Sequence, residues 1–120
     1  PNRFDLYYKL GFLYDQKLIR DCGGDEACRQ ERYAKAAELF LRADEFPEAP
    51  TYIARDAGRC LEKSGNPQAA YKFWVEKVWR NDRRIHSTLD RIIVGREIRR
   101  LEERLDIDPA SRLFPKPTPQ

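Results

Sequence analysis

Three cysteines and one histidine are the side chains of this 120-residue chain best placed to do chemistry beyond packing. Cys22 and Cys28 flank the turn Gly23-Gly24-Asp25-Glu26-Ala27, a flexible stretch short enough for a disulfide to close a small loop. Such a bridge would place the protein in an oxidising compartment, periplasmic or extracellular. Two free thiols would instead fit the cytoplasm. Cys60, opposite Ala57 and Leu61 on a helix, reads as a buried free thiol and not a nucleophile. His86 has no second histidine to work with, so neither Cys60 nor any serine has the usual activating base, and no catalytic residue is expected. No metal site is expected either. The two close cysteines are not in a Cys-x-x-Cys arrangement and no Cys or His pair complements them. Haem attachment lacks its Cys-x-x-Cys-His, and the glycines lack the spacing and the Lys-Ser/Thr end of a phosphate loop. No cofactor follows from any of these residues.

The elements that must position these side chains read as helices. Apolar residues recur at helical spacing from Phe4 to about Cys22, and the Gly pair then breaks the pattern, with Asp25 suited to cap a second helix to about Glu45. Phe46-Pro47-Glu48-Ala49-Pro50 is the next break. A third helix from about Ala49 or Thr51 to Lys63 puts Ile53, Ala54, Ala57 and Leu61 inward. Ser64-Gly65-Asn66-Pro67 ends it and opens a fourth, running to about Asn81. A fifth helix from about Arg83 to Leu105 carries Ile85, Leu89, Ile92, Ile93, Ile98, Leu101 and Leu105 as a stripe interrupted at Gly95. The expected architecture is all-α, with hairpins over about 4–45 and 49–81, a terminal helix over about 83–105 and a proline-rich extended tail over 109–120.

Composition narrows the function further. Lys plus Arg total 23 against 20 Asp plus Glu, and the resulting net charge of +3 is too weak to imply a polyanionic partner. Basic residues concentrate between Trp79 and Leu105, as Arg80, Arg83, Arg84, Arg91, Arg96, Arg99, Arg100 and Arg104. The interleaved Asp82, Asp90, Glu97, Glu102 and Glu103 favour a salt-bridged helical face over a nucleic-acid surface. No run approaches the roughly 20 apolar residues that cross a bilayer. The chain begins at Pro1 and contains no Met, so a natural start removed by processing or trimming is expected.

Two stretches repeat at a spacing of 34 residues: Tyr33-Ala34-Lys35-Ala36-Ala37-Glu38-Leu39-Phe40 and Pro67-Gln68-Ala69-Ala70-Tyr71-Lys72-Phe73-Trp74. In each, a small Ala precedes a large aromatic by one helical turn. With Gly58, Gly65, Ala70 and Trp74 in the second copy, and Tyr7, Leu10, Gly11, Tyr14, Ala36, Phe40 and Ala43 in the first, the chain resembles the tetratricopeptide repeat family. Leu61 stands where that family prefers Tyr, Pro47 falls one residue early, and the first hairpin is longer by about the length of the Cys-flanked insertion. The resemblance implies a short α-solenoid of stacked antiparallel hairpins that binds a protein or peptide and catalyses nothing. Its groove would take Asp5, Tyr8, Phe12, Asp15 and Gln16 from the first unit and Tyr52, Arg55, Arg59, Glu62 and Lys63 from the second. Among these Tyr8 and Phe12 would be apolar anchors, and Arg55, Arg59 and Lys63 cations for an acidic segment. Membership of a larger protein or complex is expected, with a structural subunit or spacer of an extracellular or envelope assembly as the alternative.

Overall fold

The computed structural model describes residues 3–81 and 87–108, and these are helical with no strand among them. The five helices are α1 over residues 3–21, α2 over Glu26–Asp44, α3 over Thr51–Lys63, α4 over residues 67–79 and α5 over Thr88–Leu105. His86, Asp82, Arg83, Arg84, Ile85 and the tail over 109–120 lie outside the described residues. The chain divides into two compact units, Pro1–Asn66 and Pro67–Gln120.

In the first unit α2 packs against both α1 and α3. The apposition of Gly11 with Phe40, Tyr7 with Phe46 and Cys22 with Cys28 shows that α1 and α2 run antiparallel. Tyr8 meets Tyr52 and Asp56 while Asp15 meets Arg59, so α1 and α3 run parallel, side by side. The close approach of α1 to α2 depends on Gly11, because a Cβ there would stand 2.8 Å from the Phe40 ring. Ala36, Phe40 and Ala43 on α2 are fully buried, as are Ile53, Ala54, Ala57 and Cys60 on α3.

Local chemistry accounts for the breaks. The Asp25 carboxylate accepts a 3.1 Å hydrogen bond from the Cys28 N–H and so caps α2. Gly65 adopts φ +92, and the N–H groups of Gly65 and Asn66 donate back to the carbonyls of Glu62 and Leu61, closing the last turn of α3 with its orphan acceptors filled. Within α1, residues Leu13–Leu18 form a widened π-helical turn. Residues four apart drift around an ordinary helix, and the wider turn offsets that drift, holding Gly11, Asp15 and Ile19 on the buried side.

In the second unit α4 carries a comparable widened turn over Trp74–Trp79, closed by the Arg80 N–H donating to the Val75 carbonyl. Ala70, Trp74, Val75 and Val78 on α4 are buried, as are Val94, Ile98 and Leu101 on α5. The Tyr71 hydroxyl donates to the buried Glu102 carboxylate at 3.0 Å, and Arg91 lies over the Trp79 ring. Helix α5 starts later than the apolar stripe suggests. Ser87 is extended and accepts from the Asp90 N–H, so the first helical residue is Thr88. Glu102 also departs from the expected charged face, since it turns inward to Tyr71. Arg100 and Glu97 do pair along that face, at 2.8 Å.

Candidate functional site

The side-by-side helices α1 and α3 form the candidate site. Their facing residues repeat one spacing, Tyr8, Phe12 and Asp15 on α1 and Tyr52, Asp56 and Arg59 on α3. Because the helices are parallel, the two sets meet nearly in register. This places a ring cluster at one end of the seam and an ionic brace at the other.

The brace centres on Asp15, whose side chain is only 2% exposed. Arg59 donates Nη1 to Asp15 Oδ1 at 3.0 Å and Nη2 to Oδ2, a two-point contact that suits the planar guanidinium. Arg59 Nη2 also reaches Asp56 Oδ1 at 3.3 Å, and Gln16 donates to Asp15 Oδ2 at 3.3 Å. The Asp15 hydrogen bond holds the Arg59 guanidinium above its ordinary range. Burial, reinforced by the Asp15 charge, pushes the Cys60 thiol up to about 12, so that this sulfur stays protonated and unreactive. No group of three His, Cys, Asp or Glu among the described residues is arranged to hold a metal ion.

The ring cluster is built around Tyr8. Its centroid lies 5.4 Å from Phe40 beneath it, 5.5 Å from Tyr52 in edge geometry and 6.3 Å from Phe12. Phe12 is 49% exposed and Tyr52 45%, so the cluster presents two open rings with a half-buried one between them. The Tyr8 hydroxyl donates to Asp56 Oδ2 at 3.3 Å. Burial first, then the Asp56 charge and hydrogen bond, push this phenol up to about 12. A phenol that ionises at 10.0 when unfolded and near 12 when folded contributes stability that is complete below pH 10 and lost as the pH rises towards 12. Tyrosinate absorbance in an alkaline titration is expected to include a late step from Tyr8 in the wild type. The Tyr8→Phe variant should lose that late step, and an unchanged titration would contradict the contact.

The structure brings Tyr8 and Phe12 together and leaves Arg55 exposed, with no ion pair among the described residues. Arg59 directs its charge into the Asp15 and Asp56 carboxylates, and Lys63 lies over the Tyr33 ring at 5.4 Å. Asp56 was not among the expected groove positions, although its spacing to Tyr52 and Arg59 matches that of Phe12 to Tyr8 and Asp15.

At the far end of the α1–α2 hairpin, the Cys22 and Cys28 sulfurs lie at disulfide distance, with Cα atoms 5.5 Å apart. A bridge over so short a loop contributes about 2 kcal/mol by restricting the unfolded chain. Reductant, or Cys28→Ser, is therefore expected to lower the urea midpoint of the native protein. Equal midpoints, together with free alkylation of both thiols in unreduced protein, would remove the bridge from consideration.

The second unit contributes an open groove of about 500 Å³, lined by Gln68, Tyr71, Lys72, Glu76, Leu105 and Ile107. Its lining is mostly apolar. No helix among the described residues is long and apolar enough to cross a membrane. Compared with known proteins, this all-α chain matches no family model, and no curated protein or solved structure resembles it at a significant level.

Proposed function

We propose that this chain is a non-catalytic protein-interaction scaffold, a helical-hairpin array of the tetratricopeptide type, whose α1–α3 seam receives a peptide. The observation that carries this reading is the pair of exposed rings, Phe12 and Tyr52, beside the exposed Arg55 on a surface braced from within by Asp15 and Arg59. Rigid aromatic anchors next to a free guanidinium are the residue types that concentrate binding energy at interfaces. The parallel placement of α1 and α3 on α2 supports the repeat reading, because first helices of successive hairpins would lie this way. An extracytoplasmic setting is part of the proposal and rests on the Cys22–Cys28 pair.

The test is selection of binders from a random peptide library displayed on phage, with counter-selection against the Phe12→Ala/Arg55→Ala variant. Peptides that bind the wild type and lose at least about tenfold in affinity on that variant support the reading. Selected peptides indifferent to both substitutions would overturn it.

A second reading, a structural subunit or spacer of an envelope or extracellular assembly, is favoured by a different surface. Leu6, Leu10 and Leu13 form an exposed stripe on α1, at 64%, 42% and 37% exposure, an apolar edge of the kind that docks on a neighbour.

A further inference from the structure

We propose that the outer face of α5 receives an acidic helix of a partner protein, one whose contact line is apolar at one end and carries carboxylates at the other. This face is separate from the α1–α3 seam, and its occupancy does not depend on whether that seam takes a peptide.

Helix α5 buries Val94, Ile98 and Leu101 on one side. On the opposite side, at the spacing that keeps residues on one helical face, stand Leu89, Ile92, Arg96, Arg99 and Glu103, all exposed. Leu89 and Ile92 form an apolar pair at 64% and 47% exposure, open to water where the helix begins. The acids of α5 do not neutralise the two arginines that follow. Glu102 is buried against the Tyr71 hydroxyl, and Glu97 pairs with Arg100 at 2.8 Å. Arg96, Arg99 and Glu103 have no ion pair among the described residues. The face therefore carries two free cations directly after two free aliphatic side chains.

Three properties of this line choose its occupant. Its residues recur at i, i+3, i+7, i+10 and i+14, the spacing along which two helices share a seam, over about 21 Å of axis. Its guanidinium groups call for carboxylates, which they bind in two-point contacts. Its apolar residues precede the basic ones along the axis and do not lie beside them. A helix resting on an anionic membrane needs an apolar strip along its length with cations at the flanks, and a nucleic-acid backbone needs cations along the whole line. A partner helix can match apolar with apolar and charge with charge in succession, with a base opposite Glu103. A second copy of α5 does not fit. Parallel, it would set Arg96 on Arg96 and Arg99 on Arg99, and antiparallel over the same length it would set Ile92 on Arg99 and Arg96 on itself.

The experiment uses the full chain and three synthetic alanine-based helices of about 20 residues, with binding read by calorimetry and amide chemical shifts. The first carries Leu, Ile, Glu, Glu and Lys at the seam spacing, made in both orders so that parallel and antiparallel docking are each offered. The second has Lys in place of both Glu, and the third keeps the composition of the first but alternates apolar and acidic residues along the seam. The first helix, in its better order, is expected to bind at least about tenfold more tightly than either control. Arg96→Glu/Arg99→Glu, a change at two exposed positions, should reverse the preference between the first and second helices. Leu89→Ala/Ile92→Ala should weaken the first several-fold without reversing it. Equal binding of the first helix and either control, a preference unchanged by the charge swap, or no binding of the first helix would overturn the inference. So would tighter binding of a DNA duplex or of phosphatidylglycerol vesicles that is lost on the same swap. The two proposals can fail separately, because phage-selected peptides that depend on Phe12 and Arg55, with no acidic helix bound at α5, would sink this one and leave the scaffold reading intact.

Discussion

Arg59→Ala is expected to destabilise the first unit by about 3–5 kcal/mol, because it leaves the Asp15 carboxylate buried without its counter-charge. The reverse change should cost less. In Asp15→Ala the freed guanidinium, whose side chain is 36% exposed, can turn to water and keeps Asp56 within reach. Arg59→Lys retains the charge and loses the two-point contact, so it should fall between these two. Urea denaturation of the three single variants and the Arg59→Ala/Asp15→Ala double variant closes the comparison. Coupling is expected, with the double variant more stable than Arg59→Ala alone. Equal stability of Arg59→Ala and wild type would mean that the brace does not hold α1 to α3.

Phe40→Ala should have a comparable effect, about 3–5 kcal/mol, through the cavity it opens beneath Tyr8 and beside Gly11. The same contact can be stressed from the opposite side. Gly11→Ala would force a methyl group to 2.8 Å from the ring, and since Phe40 is fully buried the ring has little room to yield. A loss of about 1–3 kcal/mol is expected from such overpacking. Combining Gly11→Ala with Phe40→Leu should recover part of that loss, because the smaller side chain vacates the clash. Thermal melts of the two single variants and the double variant test this, and additive losses would show that the two residues do not share one contact.

The sequence carried the helical class and the positions of several breaks because these depend on neighbours in the chain. Asp25 caps the helix that follows it and Gly65 adopts the left-handed conformation that ends α3, and each acts within a few residues of itself. Ser87 did the same for α5, but the aliphatic stripe running through Ile85 drew the expected start towards Arg83. What the sequence concealed depends on contacts between distant segments. Asp15 looks like a surface carboxylate in a helix with Lys and Gln neighbours. Only the approach of Arg59, 44 residues away, makes its burial tolerable. Glu102 is similar, one acid among several on a charged helix until Tyr71 donates to it. The widened turns over Leu13–Leu18 and Trp74–Trp79 have no local signature either, since it is packing that selects them. The ring cluster was partly legible, through Tyr8 and Phe12. On α3, Tyr52 and Arg59 were among the expected groove positions, and Asp56 could have been found by laying the shared spacing of the two helices side by side.

Cys60 gives the protein an internal reporter of its own breathing. Its thiol is fully buried and held protonated, while the other two sulfurs are placed to be closed to alkylating reagents by their mutual bond. Under native conditions, attack on this one sulfur must wait for α3 to lift away from its neighbours, so the labelling rate counts opening events and not surface accessibility. A ligand seated across α1 and α3 should slow that clock in proportion to its occupancy, and would register by silence at an atom it never touches.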